Sequence, residues 1–497
     1  MTFWGLSGIT RGRELTRIPT TWQELAAPGS FSRMIDAFHL PALPDVPTTS
    51  RSYGEGEGAF ELRIPQLRPG LLREQVRALA EARTRGLERR PVAEIVGVID
   101  RVAARLLDPA DELRMTAERA LPALTRYSPE MVRRVLDRMA ADWRAEPLTE
   151  LLRAEFGDPG ALDGFRPDAR GRGRMTAFGP RLAAHVFSGN VPGVAVTSIV
   201  RSLLVKAATL GKTAAGEPLL PALFARGIAE EDAELGACVA VAYWPGDDEA
   251  LTRAALESAD AAVVYGGAEA LASVRVQAPA GTRILAYGPR LSFGIVARER
   301  LTADAAGEVA RAAALDASTF DQQGCVSPHV FYAEEGGDVG PREWAGLLAT
   351  EMAAVERDLP RGPLAPDESS AIQQLRARAE FSDGTELHAS DDGTAWTVVF
   401  EPDPAFEASC LNRVVRVKPV RDGAEVPALL AAYAHLLQTV GVSASPERAE
   451  ALAAQLGRLG ASRVAPLGRM AWPPPWWHHD GHPPLRDLVR WCDLEGE

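Results

Sequence analysis

Residues 238–278 read CVAVAYWPGDDEALTRAALESADAAVVYGGAEALASVRVQA. A short apolar run ends at a Pro-Gly-Asp turn, and residues with helical spacing follow. AAVVY (261–265), two glycines and a second helical stretch complete the segment. The order is strand, loop, helix, strand, glycine turn, helix. Short apolar runs bounded by turn residues and alternating with helices predict a mostly parallel sheet covered on both faces. The texture extends in both directions. Upstream, HVFSGNVPGVAVTSIVRSLLVKAATLGKTA (185–214) alternates apolar runs with glycine turns and one helix. Downstream, TRILAYGPRLSFGIVA (282–297) adds two short strands. Residues 157–298 are therefore expected to form an open α/β nucleotide-binding domain.

The flanks differ. Residues 1–70 are mixed and rich in Pro and Gly, with GEGEGAFELRIPQL reading as loop then strand. From 71 to 156 apolar residues recur at three- and four-residue spacing between Arg and Glu, which predicts packed helices. Residues 1–156 are expected to be a helical N-terminal region that partly completes the nucleotide-binding domain. Downstream, a helix over 303–317 leads to STFDQQGCVSPHVFYAE (318–334). Strands near 329–333, 395–401 and 413–420 and helices near 341–358 and 367–380 make a second α/β unit over 299–425. Helices over 426–440 and 446–459, and a Trp/His-rich tail, are expected for 426–497.

A chain of 497 residues implies two or three domains. The formal net charge of -13 argues against nucleic-acid binding, which needs a basic face. Four cysteines (238, 325, 410, 492), widely spread and with no CxxC pair, fit a reducing cytoplasm without disulfides or zinc. The N-terminal run lacks a long apolar core, so no signal peptide is expected. No run approaches the roughly 20 apolar residues of a membrane span.

Cys325 lies on a glycine-flanked polar turn between a helix and a strand. A thiolate there would be a strong nucleophile if accessible and lowered in pKa; a small buried apolar residue is the other reading. Asn190 in SGNVPG (188–193) could donate to an oxyanion or could simply serve the turn. The glycines 266 and 267 before a helix could seat a phosphate, although GxGxxG is absent. Lys206 and Lys212 could meet a ribose or phosphate, or be solvated. His478, His479, Asp480 and His482 show no helical periodicity, and no metal site is expected. Trp476 and Trp477 are expected to pack against the body.

Taken in order, SGNVPG, VKAATLGKTAAGEPLLP, VVYGGAEAL, YGPRLSFGIV, FDQQGCVSPHVFY, LNRVVRVKPV, HDG and LVRW resemble the LuxC-type acyl-CoA reductases of the aldehyde dehydrogenase superfamily. The resemblance covers roughly 175–495. It implies an aldehyde-dehydrogenase-like α/β fold: the nucleotide-binding domain, an α/β catalytic domain and the helical N-terminal region. It makes Cys325 the nucleophile that accepts an acyl group as a thioester, and Asn190 the oxyanion donor beside the Cys325 backbone N–H. Lys212, Gly266, Gly267 and Glu407 become cofactor-binding residues, with Glu407 on the nicotinamide ribose. NADPH is the cofactor implied, acyl-CoA or an acyl-donor protein the partner, and a homo-oligomer the assembly. Hydrolytic superfamily members carry an activating glutamate in an ELGGK stretch. Here that stretch reads LAYGPRLS, so no carboxylate is expected near the thioester and reduction to the aldehyde is favoured over hydrolysis. A CoA-acylating aldehyde dehydrogenase, or a cysteine acyltransferase without redox chemistry, are the alternatives.

Overall fold

The computed structural model describes residues 33–168, 171, 173–391 and 393–495. The reading of residues 1–32, the absence of a signal peptide included, lies outside the described residues. The chain divides into two compact units. One holds the described residues through Thr125, Arg133–Gly288 and the chain from His482 onward. The other holds Arg126–Val132 and Pro289–Gly481.

The first unit is built on five parallel strands: β1 (Leu182–Val186), β2 (Ala208–Thr213), β3 (Val239–Tyr243), β4 (Ala261–Tyr265) and β5 (Arg283–Tyr287). Their spatial order is β5-β4-β1-β2-β3. The chain runs outward from β1 to β3, then returns to place β4 on the other side of β1. That reversal is the switch point at which doubly wound sheets open a crevice beyond the carboxyl ends of their strands. Helices cover the sheet because its strands are apolar on both faces: Leu72, Val76 and Leu79 of the helix Pro69–Gly86 pack with Leu182, Leu210 and Ala240. Leu79 is fully buried, and truncating it to alanine should cost about 2–5 kcal/mol. His39 exchanges two backbone hydrogen bonds of 2.9 Å with Val241, so the N-terminal region adds a residue to the β3 edge. The helices expected over 71–156 are present: Val92–Leu107 buries Ile95, Val96, Ile99, Val102 and Leu106, at the spacing read from the sequence. The strand Arg490–Glu495 pairs antiparallel with Gly173–Phe178.

The second unit is built on seven strands: β6 (Leu291–Val296), β7 (Pro328–Glu334), β8 (Glu386–Ala389), β9 (Thr397–Phe400), β10 (Val414–Val420), β11 (Leu437–Ser443) and β12 (Arg463–Pro466). Their order is β8-β9-β10-β7-β6-β11-β12, with only β8 antiparallel. Two expectations change here. The segment Leu291–Val296, read with the 157–298 block, pairs in this second sheet. Residues 426–440, read as one helix, form a four-residue helix, a 3-10 stretch Ala431–Leu436 and the start of β11. A short apolar run fits a buried strand and a buried helix equally well by spacing; the sheet's need for a partner along β6 decides it.

Candidate active site

In the first unit the carboxyl ends of the strands collect four of the sequence-selected residues. SGNVPG leaves β1, and Gly193 (φ 95°) ends it in the left-handed conformation as the cap of the helix Val194–Leu204. A Cβ on Gly189 would lie 2.9 Å from Ala214 Cβ, so the loops after β1 and β2 meet through a glycine. Lys212 is the penultimate residue of β2. Its ammonium stands 5.9 Å from the ring centre of Tyr243 and 5.8 Å from that of Trp244. Burial lowers its pKa to about 8, against a smaller opposing pull from Asp247. Thr213 Oγ1 beside it is buried with no hydrogen-bond partner among the described residues. Gly266 and Gly267 follow β4, and Gly267 caps the helix Ala268–Gln277. The Asn190 turn and this glycine turn thus leave the two strands that flank the switch point. A partly buried cation, an orphaned hydroxyl and a helix N-terminus at one sheet edge fit a phosphate-bearing dinucleotide.

Lys206 is taken up structurally, 2.7 Å from Asp163. Glu217 went unnoticed in the sequence. Its carboxylate accepts from the N–H groups of Leu219 and Leu220 at 2.9 and 2.7 Å, at the start of the helix Leu220–Glu231, and burial pushes its pKa up to about 7. His185 lies between Ser198 and Ser202, each at 3.0 Å, and burial lowers its pKa to about 3. Cys238 is a core residue.

In the second unit the helix Ala306–Ser318 ends in Phe320, Asp321 and Gln322, all with φ between 49° and 63°. Left-handed backbone at three successive non-glycine residues persists only where surrounding contacts over-determine it. They do so here. Gln322 donates to the carbonyls of Pro328 and Val414 and accepts from Val414 N–H at 2.9 Å. Gln323 Nε2 donates to Asn412 Oδ1 at 2.8 Å. Leu411, Asn412 and Arg413 form a second left-handed triplet. DQQ and LNR, far apart in the chain, are the two halves of one clasp, and the Cys325 turn follows it directly.

Cys325 is half-buried on that turn, just before β7. Its carbonyl accepts from Ser292 Oγ at 2.7 Å, and Ser292 Oγ accepts from Thr439 N–H at 3.1 Å, which ties the turn to the starts of β6 and β11. Burial raises the thiol to a pKa of about 11, and Asp480 adds to the rise. A hydrogen bond from Gln438, the residue's own N–H and the charge of Arg290 act in the opposite sense. The Arg463 guanidinium lies over Trp477, and the charge of a Cys325 thiolate acts on it. The expectation of a cysteine without a carboxylate neighbour is therefore corrected: Asp480 supplies one from the tail. Its side chain is 1% exposed, 2.8 Å from Arg290 Nε and 2.5 Å from Gln438 Nε2.

The run His478, His479, Asp480, His482 is thereby divided. His479 stacks on Trp477, Asp480 turns to Arg290, and His482 pairs with Asp487 at 3.0 Å. Trp477 packs as expected, whereas Trp476 is 42% exposed. Glu407 is 53% exposed and 2.6 Å from Arg416 Nη2. Gln438, Arg290 and Asp480 were missed as neighbours of the cysteine. HDG and PRLS stood in the motif order, but nothing local marks two loops that meet only through the fold.

Such a doubly wound sheet with a second α/β unit carrying a turn-borne cysteine is the aldehyde dehydrogenase fold. The NAD-dependent benzaldehyde dehydrogenase of Corynebacterium glutamicum superposes with a TM-score of 0.69 at 15% identity, covering 93% of this chain and 99% of that one. Aldehyde dehydrogenase 21 of Physcomitrella patens, in complex with succinate, gives 0.70 at 14% identity over 93% and 98%. The family model described as acyl-CoA reductase (LuxC) matches residues 87–491, and the chain belongs to that family. The long-chain acyl-protein thioester reductase of Aliivibrio fischeri is 28% identical over 413 residues, covering 81% of this chain and 82% of its own. Its namesake from Photobacterium phosphoreum is 26% identical over 396 residues, covering 77% and 76%.

Proposed function

We propose that the chain reduces an activated long-chain acyl group to the fatty aldehyde through a thioester on Cys325, with NADPH as the reductant. The observation that carries this reading is the placement of Cys325: half-buried on a turn locked by two left-handed triplets and tied through Ser292 to the starts of β6 and β11. A residue that only filled the core would not need that clasp.

The acyl carbonyl carbon bonds to Cys325 Sγ, its bond to the donor's leaving atom breaks, and the thiol proton goes to that atom. Asn190 keeps the role of oxyanion donor that the family resemblance gives it, with the Cys325 backbone N–H as second donor. A reduced nicotinamide dinucleotide, when bound, supplies the hydride. Lys212, Gly266 and Gly267 would hold its ribose and phosphates, and Glu407, oriented by Arg416, its nicotinamide ribose. The aldehyde then leaves and Cys325 regains a proton. The relatives' name favours an acyl group carried on a protein, with acyl-CoA as the small-molecule donor of the same chemistry.

The test is intact-protein mass spectrometry after mixing with a long-chain acyl-CoA or acylated carrier protein, without and then with NADPH. An adduct of acyl mass on Cys325 that NADPH discharges as aldehyde is expected. An adduct untouched by NADPH would replace reduction by acyl transfer, and the absence of any adduct would overturn the thioester.

A further inference from the structure

The second sheet has a switch point of its own. β6 leads through the helix Ala306–Ser318 to β7 on one side. β11, on the other side of β6, leads through the helix Pro446–Leu459 to β12. Between such diverging connections a crevice opens beyond the carboxyl ends of the strands. A cavity of about 390 Å³ lies there, within the roughly 300–1,000 Å³ of small-molecule sites. Its wall is apolar: Val309 from the first helix, Ala449 from the second, Val442 near the end of β11, Val464 of β12 and Leu467 just past it. The Cys325 turn is tied to the opposite ends of these strands, through Ser292 at the start of β6 and Thr439 at the start of β11. With seven residues β11 is about 20 Å long, so the cavity is not part of the cysteine site.

The loop after β6 supplies the charge. Arg298 pairs with Glu334, and Glu299 with Arg448 and the Ser445 N–H. Arg300, the third of this run, lines the cavity half-buried and has no ion pair or side-chain hydrogen bond among the described residues. A guanidinium in an apolar wall is short of hydrogen-bond partners unless a ligand brings the anion. Glu308 also lines the cavity, exposed and not paired with Arg300; water screens its charge.

We infer that this cavity is a second ligand site, which takes an aliphatic carboxylate of medium chain length. The carboxylate sits on Arg300, whose planar fork matches it with two parallel N–H···O bonds. The chain lies against Val309, Val442, Val464 and Leu467. A neutral hydrocarbon would leave Arg300 unpaired. An inorganic anion would leave the apolar wall in water and bring more negative charge toward Glu308. Binding here calls on neither the Cys325 thiol nor a nucleotide, so it stands apart from the reduction.

Titration calorimetry of the full chain with decanoate tests it. Arg300→Met should raise the Kd for decanoate about tenfold, through loss of the charged hydrogen bonds. Glu308→Gln, which removes the like charge, should lower it. Octanoate, shorter by two methylenes, should bind the wild type about tenfold more weakly than decanoate. Ala449→Phe should fill the cavity and abolish binding; Ala444→Phe, from the loop after β11, replaces it if that chain fails to fold. Changes of opposite sign at Arg300 and Glu308 support the assignment, because a general loosening would weaken binding in both. No heat of binding in the wild type, or a Kd unmoved by Arg300→Met, would overturn it. Decanoate that shields Cys325 from iodoacetamide equally in the wild type and in Arg300→Met would place the molecule at the cysteine and would overturn it as well.

Discussion

Arg413 donates from Nε and Nη2 to Oδ1 of Asp321, at 3.0 and 2.7 Å, with both side chains in the interior. Arg413 Nη1 also reaches Glu356 at 2.7 Å. The pair joins the two left-handed triplets behind the cysteine turn. Replacing Asp321 by alanine leaves a buried guanidinium with half its partners and should destabilise the unit by about 3 kcal/mol. Thermal unfolding measures that loss. Acylation of Cys325 should fall in the same variant even at temperatures where it stays folded.

A thiol pushed up to about 11 sets the resting reactivity of Cys325. At pH 8 about one thiol in a thousand is ionised, so alkylation of the free protein should be slow and should climb through pH 8–10 without a plateau. A plateau near neutral pH would mean a thiolate at rest. Cys325→Ser should abolish acyl-dependent NADPH oxidation.

Lys212 is displaced the other way, lowered to about 8 by burial. A group lowered this way keeps its charge below that pH and loses it above. If it meets the cofactor's ribose and phosphates, the Michaelis constant for the nucleotide should rise as pH passes through 8. Lys212→Met should raise it about tenfold at pH 7 and leave the melting temperature unchanged. A pH-independent constant in the wild type would remove Lys212 from the cofactor site.

Glu334 ends β7 with a fully buried side chain. Burial alone would raise its pKa. Hydrogen bonds from Arg448 and from the N–H groups of Arg298 and Gly423 outweigh that, and hold it at about 2. A carboxylate lowered on folding adds stability above its unfolded pKa of 4.5 and loses it as pH falls toward 2. The contribution at pH 7 is on the order of 2 kcal/mol, allowing for the partly exposed Arg448. Arg448→Met should shift the acid-unfolding midpoint upward; an unchanged midpoint would show that the cluster is not the acid-sensitive element.

Much of the architecture could be read without coordinates. CVAVAY, AAVVY and RILAY announced buried strands because apolar runs closed by turn residues have few other uses. The helices over 71–156 followed from their spacing, and the glycine-flanked polar stretch around Cys325 read as a turn between a helix and a strand, where the structure has one. The run from 426 to 440 did not read correctly, because spacing cannot separate a short buried strand from a short buried helix.

What the sequence by itself determined is local: the βα alternation, the cysteine turn, the glycine turns at strand ends and the order of motifs that marks the family. Only the tertiary structure decided what surrounds the sulfur. Arg290, Gln438 and Asp480 lie on three segments with no pattern in common. They meet because β11 pairs beside β6 and the tail's left-handed turn delivers a carboxylate to them. A hydrogen bond or ion pair needs contact at about 3 Å; a chain specifies such contact between distant residues through the packing of the whole sheet, which no single segment records.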